Sequence, residues 1–428
     1  MASQIFGEST PWADPAWYSG QSPYYSESHI RLRNVLRKYV DEELRPHVEE
    51  WEMAGKLPDD VYKRHAARGV VPCSIWPMPH QYLGSIKLPG NVEPKDWDPF
   101  HDIICADEMS RIGYLGVMWA FGMGGSIGLP PVINYGSQSI KDELIYPILK
   151  GDKKICLAVT EPDAGSDVAG LLTTAIRKGD HYIVNGAKKW ITNAIFSDYA
   201  TTAVRTGGPG RRGISALVIP LNLPGVRMRK MYNSGVAASG STYINFDDVK
   251  VPARYLLGKE NDGFTIIMNF NHERLLMAVT ANRMARVCLE DAINYASERN
   301  TFGKPLLEQP VIREKFGNIA RHIESTHAWI EQLGYSIKMN TKETIDKILA
   351  GQIALVKVQA GRNLEFACRE AQQVFGGQGF SRGGKGARVE QISRDLRVMV
   401  VGAGSEEILT ELAVRQQIAL AKTHGWKL

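Results

Sequence analysis

The sequence predicts an α+β protein in which a block of helices, a block of strands and a second block of helices follow one another. Apolar residues recur at helical spacing through residues 28–150, and again from about Asn261 to the end. Between these blocks, from about Cys156 to Pro252, runs rich in β-branched and aromatic residues alternate with glycine and proline turns. Strands and helices that keep to separate blocks favour layered α+β packing over an alternating parallel sheet.

These changes of pattern divide the chain into four predicted parts. They are an N-terminal extension (1–27), an N-terminal helical domain (28–154), a middle β-domain (155–260) and a C-terminal helical domain (261–428). One apolar stripe predicts a long helix through Met277, Ala281, Met284, Cys288, Ala292 and Tyr295. The other predicted helices of this block are 311–339, 345–374 and 407–423, and the predicted strands are 182–184, 199–204, 214–219 and 242–246.

Composition and charge narrow the class of protein. Of 428 residues, 44% are hydrophobic and 23% charged, which is enough to build a sizeable core. The net charge of +5 is dispersed, whereas nucleic-acid binders concentrate basic residues in a stripe, so we expect no nucleic-acid partner. The five cysteines are odd in number and far apart, which indicates free thiols in a reducing compartment and no metal site.

Targeting and membrane signals are weak. Residues 1–30 contain three acidic residues and no arginine, unlike a transit peptide, and Trp426-Lys427-Leu428 only half resembles a peroxisomal tail. The uncharged stretch between Arg111 and Lys141 is broken by Pro130-Pro131 and by glycines. It therefore predicts a buried helix with close backbone approach rather than a membrane span. We expect an intracellular protein of the cytoplasm or of an organelle (mitochondrion or peroxisome).

Two segments of the β-domain have the residue types of a ligand site. In 157–167, hydroxyls at Thr160 and Ser166 accompany turn-forming residues, which suits either a loop that offers donors to a polar ligand or an elaborate turn. Asn185-Gly186 is a strong hairpin signal, so we expect a β-turn that feeds a strand with Trp190 and Thr192 on one face. The indole could pack against a flat heterocycle or belong to the core.

Glu273 is the candidate base. It precedes Met277 by four residues, so it shares the apolar stripe of the long helix. An unpaired carboxylate on an apolar surface acquires a raised pKa, as a proton-abstracting base requires. From spacing alone, an ion pair with a neighbouring basic residue is the commoner explanation.

Later segments combine glycine with polar residues. The segment 299–305 is a basic turn suited to phosphate, and 373–380 allows close backbone approach to a ligand. Arg394-Asp395 and 402–407 complete the series. Taken singly, each of these is explained by turn chemistry.

Together and in this order, the segments resemble the acyl-CoA dehydrogenase family from about residue 28 to the C-terminus. The matching residues are Thr160-Glu161-Pro162, Ala164-Gly165-Ser166-Asp167, Lys189-Trp190-Ile191-Thr192-Asn193, Asp248-Val249-Lys250-Val251-Pro252, Glu273-Arg274, Tyr295, Arg299, Thr301-Phe302-Gly303, Gly376-Gly377-Gln378-Gly379-Phe380, Arg394-Asp395 and Gly404-Ser405-Glu406-Glu407-Ile408.

The resemblance implies an acyl-CoA dehydrogenase-like fold with a helical N-terminal domain, a β-barrel-like middle domain and a C-terminal four-helix bundle. It also implies FAD as cofactor, an acyl-CoA substrate, a homotetramer built as a dimer of dimers, and electron-transferring flavoprotein as a partner. By resemblance, the flavin side is contacted by Thr160, Ser166, Trp190 and Thr192. The implied contacts to the FAD pyrophosphate and adenosine are Arg299, Thr301, Phe302, Gln309, Gln373, Gly377, Ser405 and Glu407. The implied substrate contacts are Ser166, Arg274 and Gly402.

The position of the catalytic base separates two groups of the family. Most members carry the glutamate just before the glycine of the last motif, where this sequence has Ala403. The isovaleryl-CoA and long-chain acyl-CoA dehydrogenases instead place it before the arginine of the long helix, where this sequence has Glu273. The resemblance implies that Glu273 removes the α-proton and that the backbone N–H of Ala403 belongs to the oxyanion site. The small Gly402-Ala403 pair is similar to that of the isovaleryl enzyme.

The implied reaction converts a saturated acyl-CoA, branched or of medium or long chain, to a trans-2-enoyl-CoA, with flavin N5 as hydride acceptor. This chemistry belongs to fatty acid or amino acid catabolism. A flavin oxidase or monooxygenase similar to nitroalkane oxidase is an alternative, but it would keep an acidic base where Ala403 lies. A flavin-loaded DNA-binding member would need a basic surface. The proline-rich segment 73–97 and the aromatic stretch 11–25 depart from the family pattern.

Overall fold

The computed structural model describes residues 8–15, 22–267 and 270–426. The predicted α+β class and the order of helices, strands and helices are confirmed. The helices are α1 (Glu27–Tyr39), α2 (Val48–Ala54), α3 (Asp59–Ala67), α4 (Pro99–Ser110), α5 (Leu115–Ala120), α6 (Met123–Gly128), α7 (Pro130–Tyr135), α8 (Gln138–Leu149), α9 (Gly263–Ile267), α10 (Asn271–Glu298), α11 (Pro310–Met339), α12 (Lys342–Thr344), α13 (Ala350–Phe375), α14 (Ala387–Val401) and α15 (Glu406–Thr423). The strands are β1 (Ile155–Ala158), β2 (Thr174–Lys178), β3 (His181–Ile191), β4 (Tyr199–Arg205), β5 (Ile214–Pro220), β6 (Val226–Lys230), β7 (Thr242–Pro252), β8 (Leu256–Leu257), β9 (Asn300–Thr301) and β10 (Lys304–Pro305).

The chain forms two compact units, each assembled from separated segments. The helical unit comprises Met1–Asp41, Asp98–Tyr114 and Asn271–Leu428, and the sheet unit comprises Glu42–Trp97 and Leu115–Phe270. The N-terminal helices are therefore divided between the two units: α1 and α4 belong to the helical unit, and α2, α3 and α5–α8 belong to the sheet unit. The four-part division of the sequence stays a prediction.

In the helical unit, α13 packs against α10, α11, α14 and α15. The predicted helices 311–339 and 407–423 correspond to α11 and α15 within one residue. The single apolar stripe predicted for α10 is incomplete, because buried residues lie on more than one side of this helix and include Arg283 and Arg286. A helix at the centre of a bundle has neighbours on several sides, and its buried charges are tolerated because they are paired.

The N-terminal extension contributes to the core of the helical unit. Its residues 8–15 reach a set of arginines whose exposed fractions are 5% or less, namely Arg33, Arg37, Arg111, Arg283 and Arg286. Asp14 accepts hydrogen bonds from Arg37 at 2.6 and 2.8 Å, and the carbonyl of Ala13 accepts one from Arg283 at 2.6 Å. The segment thus supplies buried counter-charge, while Trp17 and Tyr18 of the aromatic stretch lie outside the described residues.

In the sheet unit, hydrogen-bonded neighbours follow the order β6-β7-β3-β2-β4-β5-β8, and β1 pairs in parallel with β4. The four predicted strands lie within β3, β4, β5 and β7. The strands β2 and β6 were not predicted, because neither carries an apolar run: β6 alternates exposed arginines with half-buried residues, and β2 ends in three exposed residues.

The hairpin turn predicted at Asn185-Gly186 is wrong. Both residues lie inside β3, where the register against β7 shifts after Val184. Gly186 has a φ of +143°, and a Cβ atom there would lie 2.7 Å from the Cα atom of Thr173. The chain reverses instead between β2 and β3, at Gly179, whose φ is +62°. A bulge requires the same backbone freedom as a turn, so the dipeptide does not distinguish them.

The uncharged stretch forms three short helices, α5, α6 and α7, rather than one. The close backbone approach predicted for its glycines is confirmed, because a Cβ atom on Gly128 would lie 2.6 Å from the backbone of Cys156. Within the described ranges, no helix combines the length and the apolar character needed to cross a bilayer. The proline-rich segment 73–97 folds into short 3-10 turns of the sheet unit.

Candidate active site

Glu273 lies in the first turn of α10. Its side chain is half-buried, and it has no ion-pair partner among the described residues. The ion-pair alternative is therefore wrong for Glu273 in this part of the chain. Burial raises the pKa of the Glu273 carboxyl to about 7, although the charges of Arg274 and Lys357 act in the opposite direction. A carboxylate with this pKa can accept a proton near neutral pH.

The loop that follows α14 contains Gly402 and Ala403. A Cβ atom on Gly402 would lie 2.8 Å from the carbonyl oxygen of Val398 and 3.3 Å from the terminal methyl of Met277, so a larger residue does not fit there. Ala403 has a φ of +53°, which is uncommon for a residue with a side chain. Its carbonyl accepts a hydrogen bond of 3.1 Å from Arg274 Nε. The structure therefore brings Arg274 and the Gly402-Ala403 pair together in one unit.

Lys357 of α13 also reaches this loop. Its ammonium Nζ donates to the carbonyl of Val400 at 2.7 Å and to that of Gly404 at 3.0 Å. Lys357 was not predicted as a site residue, because its position in a helical run carries no local motif.

In the sheet unit, the segment 160–167 is irregular, as predicted, and it is anchored by two buried residues. Lys188 Nζ donates to Glu161 at 2.8 Å and to the carbonyl of Val159 at 3.0 Å. Glu161 also accepts the backbone N–H groups of Leu172 and Thr173. The anchored segment presents Ser166 as an exposed residue and Thr160 as a half-buried one. No role was predicted for Lys188 or for Glu161, although Glu161 belongs to one of the motifs that match the family.

We expect Lys188→Met to destabilise the sheet unit and to weaken binding of the FAD that the family resemblance implies. Burial lowers the pKa of Lys188 to about 8, with Glu161 opposing, and loss of one partner leaves a buried carboxylate. Because Glu161 keeps two backbone donors, we expect a cost of about 3 kcal/mol, at the low end for a broken buried pair. Thermal unfolding and FAD retention during gel filtration measure the effect. The exposed pair of Lys153 with Asp198 provides a control, since Lys153→Met should change neither.

Trp190 and Thr192 do not alternate along a regular strand. The register of β3 shifts between Lys188 and Ile191, and Trp190 has a φ of +60°. The indole is 48% exposed, so the core alternative is wrong for Trp190 within this chain. Thr192 is half-buried, and the neighbouring Asn193 accepts the backbone N–H of Gly124 at 2.7 Å. The exposed indole offers a flat surface to a ring system.

The predicted phosphate-binding turn is a two-residue hairpin between β9 and β10. Phe302 and Gly303 both have positive φ, which matches a type I′ turn, and Phe302 is 98% exposed. The Thr301 hydroxyl is buried and has no hydrogen-bond partner in the described part of the chain. Arg299 precedes the hairpin, and Gln309 follows it as the N-cap of α11.

The remaining predicted site residues lie at two other places in the helical unit. Gln373 and Gly377 are exposed at the end of α13, where the rings of Tyr295 and Phe375 lie 4.6 Å apart. Ser405 is the N-cap of α15, and Glu407 is exposed in its first turn.

The turn interpretation of Arg394-Asp395 is wrong. Both residues lie inside α14, where Arg394 pairs with Glu390 of the previous turn at 2.8 Å and Asp395 accepts from Gln391 at the same distance. These contacts join successive turns of the helix.

Comparison with known proteins identifies one family along the chain. Family models described as the N-terminal, middle and C-terminal domains of acyl-CoA dehydrogenase match residues 26–152, 156–249 and 261–418. The chain is 46% identical over 423 residues to acyl-CoA dehydrogenase AFT10-1 of Alternaria alternata, with 97% of each chain covered. It is 43% identical over 428 residues to acyl-CoA dehydrogenase apdG of Emericella nidulans, with 98% of each covered.

Among solved structures, acyl-CoA dehydrogenase from Geobacillus kaustophilus is similar with a TM-score of 0.82 and 27% identity, over 93% of this chain and 100% of that one. Fold, domain order and relatives agree. The chain belongs to the acyl-CoA dehydrogenase family of flavin-dependent oxidoreductases.

Proposed function

We propose that this protein is an FAD-dependent acyl-CoA dehydrogenase that converts a saturated acyl-CoA to a trans-2-enoyl-CoA with Glu273 as the base. The observation that carries the proposal is the pairing of two features in the helical unit. Glu273 is an unpaired carboxyl with a raised pKa, and Ala403 occupies the position where most members of the family carry the base. One carboxyl is thus available for the proton transfer, and it has the pKa the task requires.

The residues that would hold FAD fit this cofactor. The exposed Trp190 indole provides a flat apolar surface for the isoalloxazine, with the Thr192 hydroxyl nearby in sequence. The buried Thr301 hydroxyl, which has no partner among the described residues, can bond to a pyrophosphate oxygen. A Cβ atom on Gly377 would meet nothing within 4 Å, which leaves room for a ligand to approach the backbone. By family resemblance, Arg299, Phe302, Gln309, Gln373, Ser405 and Glu407 complete the set.

The chain's own groups account for the proton transfer. The α-proton of a thioester is weakly acidic, so the negative charge that develops on the carbonyl oxygen needs a donor. Among the described residues, none accepts a hydrogen bond from the backbone N–H of Ala403, so this group can donate to that oxygen. Glu273 takes the proton, and bound FAD would supply the acceptor for the hydride that leaves the β-carbon. One oxyanion donor typically contributes about 3 kcal/mol to transition-state stabilisation.

The substrate and partners follow from the same residues. A Cβ atom on Gly402 would lie 3.3 Å from the Met277 methyl, so the space beside the loop is narrow. By family resemblance, Gly402, Arg274 and Ser166 contact the substrate, an acyl-CoA whose chain is branched or of medium or long length. The exposed Phe302 on its hairpin suits burial against another copy, as in a homotetramer of two dimers. Electron-transferring flavoprotein is the proposed electron acceptor. All five cysteines are buried and free, which supports a reducing intracellular compartment.

Anaerobic titration tests the proposal. Straight and branched acyl-CoAs, from butyryl- and isovaleryl-CoA to octanoyl- and palmitoyl-CoA, are added to the FAD-loaded protein while the flavin absorbance is followed. We expect at least one thioester to bleach the flavin stoichiometrically and to yield the enoyl-CoA by mass spectrometry. Flavin that stays oxidised with every member of the panel would contradict the proposal. Reoxidation by air at the turnover rate would indicate an oxidase instead.

A further inference from the structure

Lys357 is a buried cation that the proposed chemistry leaves without a role. It lies in the N-terminal half of α13 and is 2% exposed. Lysine is almost never buried this deeply unless its ammonium has partners. Its partners here are the carbonyls of Val400 and Gly404, which belong to the loop that contains Ala403.

Two cations together hold three carbonyls of this short loop. Lys357 binds the carbonyls at both ends of the segment 400–404, and Arg274 binds that of Ala403 between them. The loop needs such restraint, because Ala403 has a φ of +53° and a strained residue persists only where its surroundings fix it. With the carbonyl of Ala403 held by Arg274, the N–H of the same residue keeps no acceptor among the described residues.

We propose that Lys357 is a positioning residue for the dehydrogenation: its ammonium fixes the 400–404 loop so that the N–H of Ala403 can bind the developing oxyanion. This inference rests on the proposed function, and it adds a residue on a second helix, distant in sequence from both motifs. Lys357 touches neither substrate nor cofactor in this scheme and acts through the loop.

The charge of Lys357 gives the variant a second, electrostatic signature. The positive charges of Arg274, on the helix of the base, and of Lys357, on α13, both lower the pKa of Glu273 against the larger effect of burial. Burial lowers the pKa of Lys357 to about 8, and Arg274 adds to this effect, while Glu273 and Glu406 oppose it. Lys357 therefore stays mostly protonated at neutral pH. The neighbouring His272 stays neutral, because burial lowers its pKa to about 3.

Lys357→Met tests both effects, because it removes the charge and the donors but keeps an unbranched side chain. In anaerobic stopped-flow with the best acyl-CoA of the panel, we expect the plateau rate of flavin reduction to fall about 100-fold, as for a misplaced reactive group. We expect the acidic limb of the pH profile to move upward by about one unit, since a nearby positive charge is lost. In Lys357→Arg, which keeps the charge but changes the geometry, the limb should stay near the wild-type pH while the plateau remains lowered.

Two measurements need no turnover. Amide hydrogen exchange in the segment 400–404 should accelerate about tenfold in Lys357→Met if the loop loses its anchors. The 3-thia analogue of the substrate can lose its α-proton but offers no β-hydride, because sulfur replaces the β-carbon. Deprotonation of the analogue beside oxidised flavin is measured by the long-wavelength charge-transfer band. This band should be weaker in Lys357→Met than in wild type at every pH below the new limb.

A matched control uses another lysine that pairs with α13. Lys315 binds the buried Glu370, far along the helix from Lys357, so Lys315→Met should lower the melting temperature without moving the pH limb or the exchange of 400–404. A Lys357→Met protein that behaves like this control, or that reduces flavin at the wild-type rate with an unchanged pH limb, overturns the inference. Wild-type protein that no acyl-CoA bleaches, or a Glu273→Gln protein that is bleached normally, overturns the proposed function instead.

Discussion

In Glu273→Gln, flavin reduction by acyl-CoA is expected to fall by about 10³-fold or more, toward the upper range for loss of a general base. The amide has nearly the shape of the carboxyl but cannot accept the α-proton. FAD should stay bound, because Glu273 lies outside the residues proposed to hold it. Anaerobic stopped-flow measures the rate, and the visible spectrum of the purified variant reports its flavin content.

The pH dependence gives this prediction a second signature. Glu273 is active when ionised, so wild-type reduction should rise with pH through about 7, the pKa to which burial raises this carboxyl. The glutamine variant has no such group, and its residual rate should be flat across that window. A variant that keeps the limb, or that reduces flavin as fast as wild type, would show that another group takes the proton.

The same pKa shift predicts an effect on stability. Because the folded pKa of Glu273 is higher than the unfolded one, the folded state holds an extra proton between the two values, and stability falls as pH rises through this window. At pH 8, Glu273→Gln should therefore unfold at a higher temperature than wild type, with a free energy of unfolding larger by on the order of 1–3 kcal/mol. At pH 4, the two proteins should unfold at the same temperature. Glu411→Gln, on the exposed side of α15, provides the control that should change neither rate nor stability.

Asp14→Asn is expected to lower the free energy of unfolding by about 3–5 kcal/mol at neutral pH, as for a broken buried ion pair. Burial opposes ionisation of this carboxyl, but the hydrogen bond from Arg37 and the charges of Arg283 and Arg37 outweigh it and hold the pKa of Asp14 well below its usual range. The variant leaves these two arginines with fewer counter-charges in the core. Chemical or thermal unfolding of the variant and wild type measures the difference.

The sign of the pH effect is opposite to that of Glu273. A depressed folded pKa contributes stability above the unfolded value, and this contribution is lost as pH falls toward the folded value. The difference between Asp14→Asn and wild type should thus be largest near neutral pH and shrink in acid. Asp60→Asn breaks an exposed i,i+4 pair with Arg64 and should cost less than about 0.5 kcal/mol. Equal unfolding midpoints for Asp14→Asn and wild type would mean that the N-terminal segment adds no stability.

The periodicity of apolar residues was sufficient to predict several long helices and strands. The helices α11 and α15 and the central strands β3, β4, β5 and β7 carry apolar patterns that depend on local sequence alone. The patterns failed where exposure hides the signal, as in β2 and β6, and where one dipeptide serves two geometries, as at Asn185-Gly186. For Trp190 the patterns left two alternatives open, and the exposed indole excludes the core alternative.

By itself, the sequence determined the family, the order of helices and strands, and the candidate base, because these depend on residue types at fixed spacing: Glu273 is present and Ala403 replaces the usual glutamate. Only the tertiary structure decided that Glu273 lacks an ion-pair partner, that Lys357 and Arg274 hold the loop around Ala403, and that Asp14 neutralises arginines of the core. The physical reason is distance along the chain. Burial and charge pairing join residues from separate elements, and no local pattern records which of them meet.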